Sequence, residues 1–286
     1  MPFISVIMSV YNDETNIRKS VESILNQTFR DFEFIITDDC SKDNSLTILR
    51  EYAKKDNRIV LVVNKENLKL TKNLNNMLDI AKGDLIARMD SDDISFPDRF
   101  EKQVNIFIND PAVDFVFTGT IFIDKDGNEL CKSWRPEKVD SILTKMKFKN
   151  FIPHPTILAK KELFFKAGKY TELNGYGQED KELWEKLISL KAAFYYVKQP
   201  LLYYRLNPKG VSYTVSSQGY SYSYKLICYC VDNYANFRAI ALLRKYLNHL
   251  SFIEIILIIF KILIPLKLRL LRIELIYFIR SYFRKK

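Results

Sequence analysis

The sequence contains few of the residues that build zinc sites, disulfide frameworks or redox motifs. Its 286 residues include four cysteines, which are Cys40, Cys131, Cys228 and Cys230. No two of them have the C-x-x-C spacing, and neither of the two histidines stands where it would complete a zinc site. These absences argue against a structural zinc and against a disulfide scaffold. They are typical of a protein that works in a reducing compartment.

Glycine is scarce as well, with eight residues in the chain. Neither the G-x-G-x-x-G pattern of dinucleotide-binding proteins nor the P-loop pattern of triphosphatases occurs in the sequence. The glycine pattern therefore argues against an ordinary dinucleotide or ATP site.

The chain also lacks an uninterrupted apolar run of 18 residues or more. Its most apolar segment, residues 251–286, is broken by Glu254, Lys261, Pro265 and further basic residues, which disfavours a membrane-spanning helix. The first apolar run, "FISVIMSV" at residues 3–10, has no basic segment before it and no cleavage motif after it. We expect this run to be a buried strand rather than a signal peptide.

Positive charge is concentrated at one end of the sequence. The formal net charge is +10, and residues 251–286 carry eight basic residues against two acidic ones. Arg269, Arg272, Arg280 and Arg284 fall on one side of a helical wheel, and aliphatic and aromatic residues fill much of the rest. Basic amphipathic helices lie at anionic bilayers, so this segment predicts association with a membrane surface. Packing on the protein itself or on a homodimer partner is the alternative.

Short apolar runs alternate with helical stretches from residue 1 to about residue 90. The run "FEFIIT" at residues 32–37, for example, precedes the helical stretch "LTILREYAKK" at residues 46–55. This alternation predicts a Rossmann-like, mostly parallel sheet in which ligands bind at the carboxyl ends of the strands.

The pattern changes in the second half of the chain. Asp126-Gly127 lies between two β-rich runs and is a hairpin signal, so we expect a mixed, partly antiparallel sheet there. The sequence further predicts a strand "AAFYYV" at residues 192–197, a loop "YYRLNPKGVSYT" at residues 203–214, and helices from Ser216 onward. The predicted fold class is therefore α/β, with a mostly parallel half fused to a mixed half and followed by a helical extension.

Acidic residues stand where the predicted strands end. Asp90, Asp92 and Asp93 follow the fourth strand, and Asp39 follows the second. Carboxylates this close repel one another, so either solvent screens them or a cation holds them. A D-x-D pattern without histidine or cysteine favours a hard ion, Mg²⁺ or Mn²⁺, whose coordination is completed by substrate phosphates. The residues alone thus predict the handling of a diphosphate.

Four segments, in this order, resemble the family-2 inverting glycosyltransferases across about residues 3 to 210. They are "SVIMSVYNDETNIRKSVESILNQTF", "DFEFIITDDCSKDNS", "AKGDLIARMDSDDISFPDRF" and "GYGQEDKELWEKL". The resemblance implies a nucleotide-binding half and an acceptor half within a catalytic domain of residues 1–215, and leaves residues 216–286 as a basic helical region. It also implies single displacement from a nucleotide-sugar, with inversion at the sugar.

The resemblance assigns a nucleotide site to the first half of the chain. It places Tyr11 on uracil, Asp39 in a hydrogen bond to the base, Asp90 by the ribose, and Arg88 and Lys72 near the nucleotide. The chemistry agrees, because an aromatic face suits a base and a carboxylate accepts the uracil imide N–H that cytosine lacks. An ordinary core aromatic and a helix N-cap are the alternatives for Tyr11 and Asp39.

The resemblance further assigns the metal and the residues that close over the diphosphate. Asp92 matches the aspartate that contacts the metal, and His154 matches a position on the metal or diphosphate side in some relatives. Arg205 and Ser212 match a late loop that folds over the diphosphate. A structural role is the alternative for His154, and a plain surface arginine is the alternative for Arg205.

The general base falls in the motif "QEDKELW", in which Asp180 matches the aspartate that removes the proton of the acceptor hydroxyl. Its place at a helix start beside Glu179, with Trp184 one turn on, favours a partly buried carboxylate with a raised pKa. We assign Asp93, Glu179 and Trp184 to the acceptor side. A partner of the helix dipole and N-cap is the alternative role for Asp180.

The predicted protein is a hexosyl- or N-acetylhexosaminyltransferase that uses a UDP-sugar and Mn²⁺ or Mg²⁺. Its expected acceptor is a saccharide or a polyprenyl-linked saccharide in capsule or O-antigen assembly, at the cytoplasmic face of a bacterial membrane. A metal-dependent nucleotidyltransferase or phosphohydrolase is the alternative enzyme. A nucleic-acid-binding protein would explain the net charge, but the predicted rim is acidic and no nucleic-acid motif occurs.

Overall fold

The computed structural model describes residues 2–133, 138–146, 150–172, 178–207, 230 and 236–263. Within them the chain forms one nine-stranded mixed sheet with helices on both faces. This architecture confirms the predicted α/β class. The predicted boundary at residue 215 lies outside the described residues and stays a prediction.

The described elements follow the predicted alternation of strands and helices through the first half. The strands are β1 (Ile4–Val10), β2 (Phe32–Asp38), β3 (Ile59–Val63), β4 (Leu85–Arg88), β5 (Ile94–Ser95), β6 (Phe115–Ile123), β7 (Glu129–Lys132), β8 (Leu158–Lys160) and β9 (Phe194–Arg205). The helices are α1 (Ile17–Leu25), α2 (Ser45–Lys55), α3 (Leu70–Ile80), α4 (Arg99–Asn109), α5 (Val139–Lys145), α6 (Lys161–Lys166), α7 (Glu179–Ser189), α8 (Asn236–Tyr246) and α9 (Phe252–Leu263). Two short 3₁₀ helices cover His154–Thr156 and Leu247–His249.

The first four main strands form the parallel part of the sheet, in the order β3-β2-β1-β4. Their side chains are buried on both faces. Val6 and Met8 of β1 face the core beneath α1, α2 and α4, whereas Ile7 faces the core beneath α3, α5, α6 and α7. Burial on both faces explains why these strands are continuous apolar runs.

The second half is mixed, as predicted. Strand β8 pairs antiparallel with both β4 and β6, and the hairpin of β6 and β7 is antiparallel. The turn of this hairpin contains Gly127 at φ +95°, a conformation that glycine adopts without strain. Residues 124–128 therefore form the predicted turn.

Strand β9 corrects one prediction. The sequence placed a strand at 192–197 and a loop from residue 203, but a single strand runs from Phe194 to Arg205. It pairs parallel with β6 and antiparallel with the short strand β5, which the sequence did not predict. The register shifts beside Gly119 and Pro200, so the proline lies at an irregularity and the strand continues past it.

Gly83 lies between α3 and β4. Helix α3 ends at Ile80, and Ala81 is its C-cap, so Gly83 does not terminate it. A Cβ atom at Gly83 would lie 2.5 Å from the backbone nitrogen of Ser5. Glycine is required here because the chain passes directly against β1.

The described part of the C-terminal region is helical, as predicted, and consists of α8, a 3₁₀ turn and α9. These helices pack on Phe122 of β6 and on Leu130 and Cys131 of β7. Among the described residues, no helix combines the length and apolar character needed to cross a membrane. The arginines of the predicted amphipathic segment, from Arg269 onward, lie outside the described residues.

Candidate active site

Three loops meet at the carboxyl ends of β1, β2 and β4, as the parallel order of the strands predicts. The backbone N–H of Asp39 donates to the carbonyl of Val10 at 2.8 Å, which joins the ends of β2 and β1. Ser91 donates its hydroxyl to the carboxylate of Asp13 at 2.7 Å, which joins the loops after β4 and β1. The acidic residues therefore share one rim of the sheet.

Asp90, Asp92 and Asp93 form a compact acidic cluster on the loop after β4. Each contributes a carboxylate oxygen, and these oxygens all lie within 4.8 Å of one another. The second carboxylate oxygen of Asp93 is buried and has no hydrogen-bond partner among the described residues. A set of hard oxygen donors with one unsatisfied buried oxygen fits Mg²⁺ or Mn²⁺.

The electrostatics of this cluster show that the carboxylates repel one another. Burial raises the pKa of Asp92 to about 7, and the charges of Asp90 and Asp13 add to the rise. Burial and the neighbouring Asp92 also raise the pKa of Asp93 well above its usual range. A bound cation would relieve both the repulsion and the desolvation, because it favours the ionised carboxylates.

Arg205, at the end of β9, holds the acidic loop in place. Its backbone N–H donates to the carboxylate of Asp93 at 2.7 Å, and its Nε donates to the carbonyl of Asp92 at 2.7 Å. Its Nη1 donates to the carbonyls of Asp124 and Lys125 at 3.1 and 3.2 Å, in the turn between β6 and β7. The guanidinium thus binds three backbone carbonyls, and its predicted pairing with phosphate stays a prediction.

Tyr11 and Asp39 lie together at the ends of β1 and β2. The Tyr11 side chain is 49% exposed, so its ring is not the ordinary core aromatic that was the alternative. The Asp39 carboxylate is buried and accepts the backbone N–H groups of Leu68 and Lys69 at 2.7 and 3.0 Å, as well as the side-chain amide of Asn64 at 2.9 Å. Asp39 therefore holds the segment that leads into α3, and it is not an N-cap of α2.

Asp180 occupies the first turn of α7 and has few partners. Its carboxylate accepts the backbone N–H of Lys181 and the side-chain amide of Asn150, each at 2.6 Å. Burial raises the pKa of Asp180 to about 7, and the adjacent Glu179 raises it further, while the hydrogen bonds and Arg88 lower it. A carboxylate with a pKa near neutrality is suited to general-base chemistry.

Arg88 lies between the acidic cluster and the region of Asp180. Its buried guanidinium forms an ion pair with Asp90, and its charge lowers the pKa of both Asp180 and His154. The His154 ring is buried, and its Nε2 lies 2.7 Å from the hydroxyl of Tyr170. Burial, and after it the charge of Arg88, lowers the pKa of His154 well below its usual value. His154 is therefore a neutral, buried ring and is not part of the carboxylate cluster.

The remaining predicted site residues differ in their exposure to solvent. Trp184 is completely buried and packs edge-on against Phe115 at 4.9 Å between ring centres, so it supports the core and does not line an open acceptor surface. Glu179 is partly exposed beside Asp180, and Lys72 is exposed on α3. Ser212 lies outside the described residues.

Several residues of the site carry no motif of their own and were missed. Asn150 donates to Asp180, Asn207 donates to the carboxylate of Asp92 at 3.1 Å, and Tyr170 contacts His154. Asn207 lies inside the predicted loop at residues 203–214 and Asn150 belongs to no predicted motif, so neither had a spacing relation to its partner. Only the tertiary fold brings these pairs together.

This fold is shared with solved structures that contain bound nucleotide-sugars. A structure of Staphylococcus aureus TarS with UDP-GlcNAc superimposes with a TM-score of 0.61, covering 87% of this chain and 73% of that chain at 19% identity. The mannosyltransferase PcManGT of Pyrobaculum calidifontis, solved with GDP-Man and Mn²⁺, gives a TM-score of 0.58, covering 90% of this chain and 78% of that chain at 17% identity. At these identities the likeness concerns the fold.

Sequence comparison identifies the family. The sequence model described as "Glycosyl transferase family 2" matches residues 5–165, which is more than half of the chain. The chain is 36% identical over 209 residues to the uncharacterized glycosyltransferase MJ1057 of Methanocaldococcus jannaschii, covering 72% of this chain and 71% of the relative. It is 35% identical over 192 residues to the O-antigen biosynthesis glycosyltransferase WbnJ of Escherichia coli, covering 66% and 73%. The chain belongs to glycosyl transferase family 2, and it is an enzyme of the glycosyltransferase class.

Proposed function

We propose that this glycosyltransferase moves a hexose or N-acetylhexosamine from a UDP-sugar to a hydroxyl of a saccharide acceptor, with inversion at the sugar. The observation that carries the proposal is the acidic cluster of Asp90, Asp92 and Asp93 on the same rim as Tyr11 and Asp39. This rim offers an aromatic ring for a base and hard oxygen ligands for a diphosphate-bound cation. The exposed ring of Tyr11 is the surface on which a base can stack.

The acidic cluster supports a divalent metal, Mn²⁺ or Mg²⁺, held by Asp92 with its neighbours. The unsatisfied oxygen of Asp93 and the mutual repulsion of the carboxylates fit such an ion. When bound, the ion neutralises charge on the departing diphosphate. Within the chain, Arg205 and Asn207 orient the loop that carries these ligands.

Asp180 is the proposed general base. Its partly buried carboxylate accepts a proton from the acceptor hydroxyl while that oxygen attacks the sugar carbon and the bond to the diphosphate breaks. Because its pKa is about 7, a substantial fraction is ionised at neutral pH and the carboxylate is still basic enough to take the proton. Asn150 fixes the carboxylate, and its own side-chain oxygen accepts the N–H of Ile152 at 3.0 Å, which sets the orientation of the amide.

The acceptor is proposed to be lipid-linked, in the assembly of a bacterial surface polysaccharide such as an O-antigen or a capsule, at the cytoplasmic face of the membrane. Relatives named for O-antigen and amylovoran biosynthesis support this class of product. The basic C-terminal sequence supports the location.

The substitution Asp180→Asn tests the reaction. We expect the variant to bind UDP with Mn²⁺ as the wild type does and to lose transfer by a factor of about 100 or more, because the amide cannot accept the proton. UDP release is measured with and without a lipid-linked saccharide acceptor. The exposed carboxylate of Asp79, which pairs with Lys169, supplies the matched control Asp79→Asn, with unchanged transfer expected.

Two results would contradict the proposal. UDP release that does not depend on an acceptor indicates a phosphohydrolase. Full transfer by the Asp180→Asn variant removes Asp180 as the base.

A further inference from the structure

Helix α9 presents a stripe of exposed apolar side chains. Phe252, Ile253, Ile256 and Ile259 are 76%, 66%, 48% and 44% exposed. Phe252, Ile256 and Ile259 are spaced four and three residues apart, so they lie on one side of the helix. Contiguous exposed apolar surface of this kind marks an interaction site.

The opposite side of α9 is packed on the protein. Ile258 is completely buried in a cluster with residues of β6 and β7, and Ile262 packs against the same cluster. Because one side is already covered by protein, a partner can meet α9 only from the exposed side. The stripe is therefore turned away from the sheet.

The single acidic residue of α9 is turned away from this surface. Glu254 is buried and accepts the backbone N–H of Ser251 at 2.8 Å and its hydroxyl at 3.1 Å, while the N–H of Glu254 donates back to the Ser251 hydroxyl at 3.3 Å. This reciprocal arrangement is a capping box. It removes negative charge from the exposed stripe within the described turns of the helix.

Basic residues flank the stripe on both sides in sequence. Arg244 and Lys245 are exposed at the end of α8, shortly before α9 begins. The sequence directly after α9, residues 264–286, contains seven basic residues and one acidic residue. Apolar surface beside tethered positive charge matches a surface that is apolar inside and anionic outside.

We propose that the exposed face of α9 is a docking surface for an anionic lipid bilayer, with the stripe of Phe252, Ile253, Ile256 and Ile259 lying in the interface. A second copy of the chain fits less well, because a symmetric contact through this face would bring two equally basic segments together. The inference deepens the proposed location of the enzyme, yet it depends neither on the identity of the sugar nor on Asp180.

The test is co-sedimentation of the full chain with vesicles of phosphatidylcholine alone or with about one third phosphatidylglycerol. We expect the wild type to bind the anionic vesicles, and to bind them more weakly as salt increases, because part of the attraction is electrostatic. The double variant Ile253→Glu/Ile256→Glu is expected to bind at least about tenfold more weakly. Ile108→Glu, an equally exposed isoleucine on α4, is the matched control and keeps full binding.

Other outcomes overturn the proposal. Equal vesicle binding by the double variant and the wild type excludes the stripe as the contact. The face belongs instead to a second copy of the chain if the wild type does not bind vesicles and is a dimer in solution, while the double variant is a monomer. Stabilisation by UDP with Mn²⁺ is measured in parallel on the same samples. If UDP with Mn²⁺ does not stabilise the wild type, the proposed reaction is refuted, and the vesicle result is unaffected.

Discussion

At the scale of single residues, the site depends on carboxylates that are costly to ionise. Burial and the like charge of the adjacent Glu179 raise the pKa of Asp180 to about 7, although its two hydrogen bonds lower it. A protonated carboxyl stabilises the folded state relative to an ionised one at this position. Catalytic basicity and folding stability are therefore opposed at Asp180.

The dependence of the free energy of unfolding on pH measures this conflict at Asp180. The folded-state pKa of about 7 lies above the unfolded value, so the folded protein binds more protons between pH 4 and pH 7. The stabilisation is fully present below the unfolded pKa and is lost as pH rises through 7. Relative to that of the wild type, the free energy of unfolding of Asp180→Asn is expected to rise by about 2 kcal/mol as pH increases from 5 to 7. Urea unfolding measures this difference.

The control for this measurement is Asp114→Asn. The backbone N–H of Ala193 and the ammonium of Lys160 outweigh burial and lower the pKa of Asp114. The pH dependence therefore has the opposite sign to that of Asp180. We expect Asp114→Asn to lose stability relative to the wild type as pH rises from about 3 to 5. A stability difference for Asp180→Asn that stays constant with pH would show that Asp180 does not titrate near neutrality.

At the scale of elements, the acidic loop is held by strands that are distant in sequence. Strand β5 follows the loop and pairs with β9, and Arg205 at the end of β9 reaches both the loop and the turn between β6 and β7. These contacts join the parallel and the mixed halves of the sheet at the candidate metal site. The loop is therefore positioned by the second half of the chain.

Replacing Arg205 with lysine separates positioning from phosphate binding. Lysine keeps the charge and loses the fork that binds three carbonyls. We expect the apparent affinity for Mn²⁺ to fall about tenfold or more, with little change in metal-free UDP binding, as isothermal titration would measure.

Arg18→Lys is the corresponding control, since Arg18 is exposed and pairs with Glu51 on the surface. A large loss of metal-free UDP binding in Arg205→Lys, with normal Mn²⁺ affinity, would instead support direct pairing with phosphate.

At the scale of the whole molecule, a sheet with both faces covered places its ligand site at one rim. Any ligand bound only by the folded state stabilises the entire cooperative unit. Ligand binding at the rim is therefore measurable as a change in the stability of the whole protein.

UDP and Mn²⁺ together are expected to raise the melting temperature by about 5 °C at a hundredfold excess over their dissociation constants, because that excess stabilises the folded state by about 2.7 kcal/mol. Each alone is expected to give less, because the cation and the diphosphate complete each other's coordination. Differential scanning fluorimetry measures the shift.

The variant Asp92→Asn is expected to lose the contribution of Mn²⁺, whereas Asp98→Asn, which alters an exposed carboxylate paired with Lys102, keeps it. A Mn²⁺-dependent shift that survives Asp92→Asn would exclude Asp92 as a ligand.

The parallel half of the fold was predictable because its signals are local. Continuous apolar runs and amphipathic helices define β1 to β4, and the rule for parallel sheets then places Asp39 and Asp90 on one rim. The course of β9 was not predictable, because Pro200 and the polar residues near it resemble a loop until pairing with β5 and β6 decides otherwise. The same limit applies to Asn150 and Tyr170, whose partners are set by tertiary packing alone.

The bond between Asp93 and the backbone of Arg205 spans 112 residues of sequence. A ribosome that has delivered the acidic loop still has more than a hundred residues to add before this bond can form. The nascent chain therefore carries its clustered negative charges without their anchor while these residues are added, and the candidate metal site can form only after Arg205 has been synthesised.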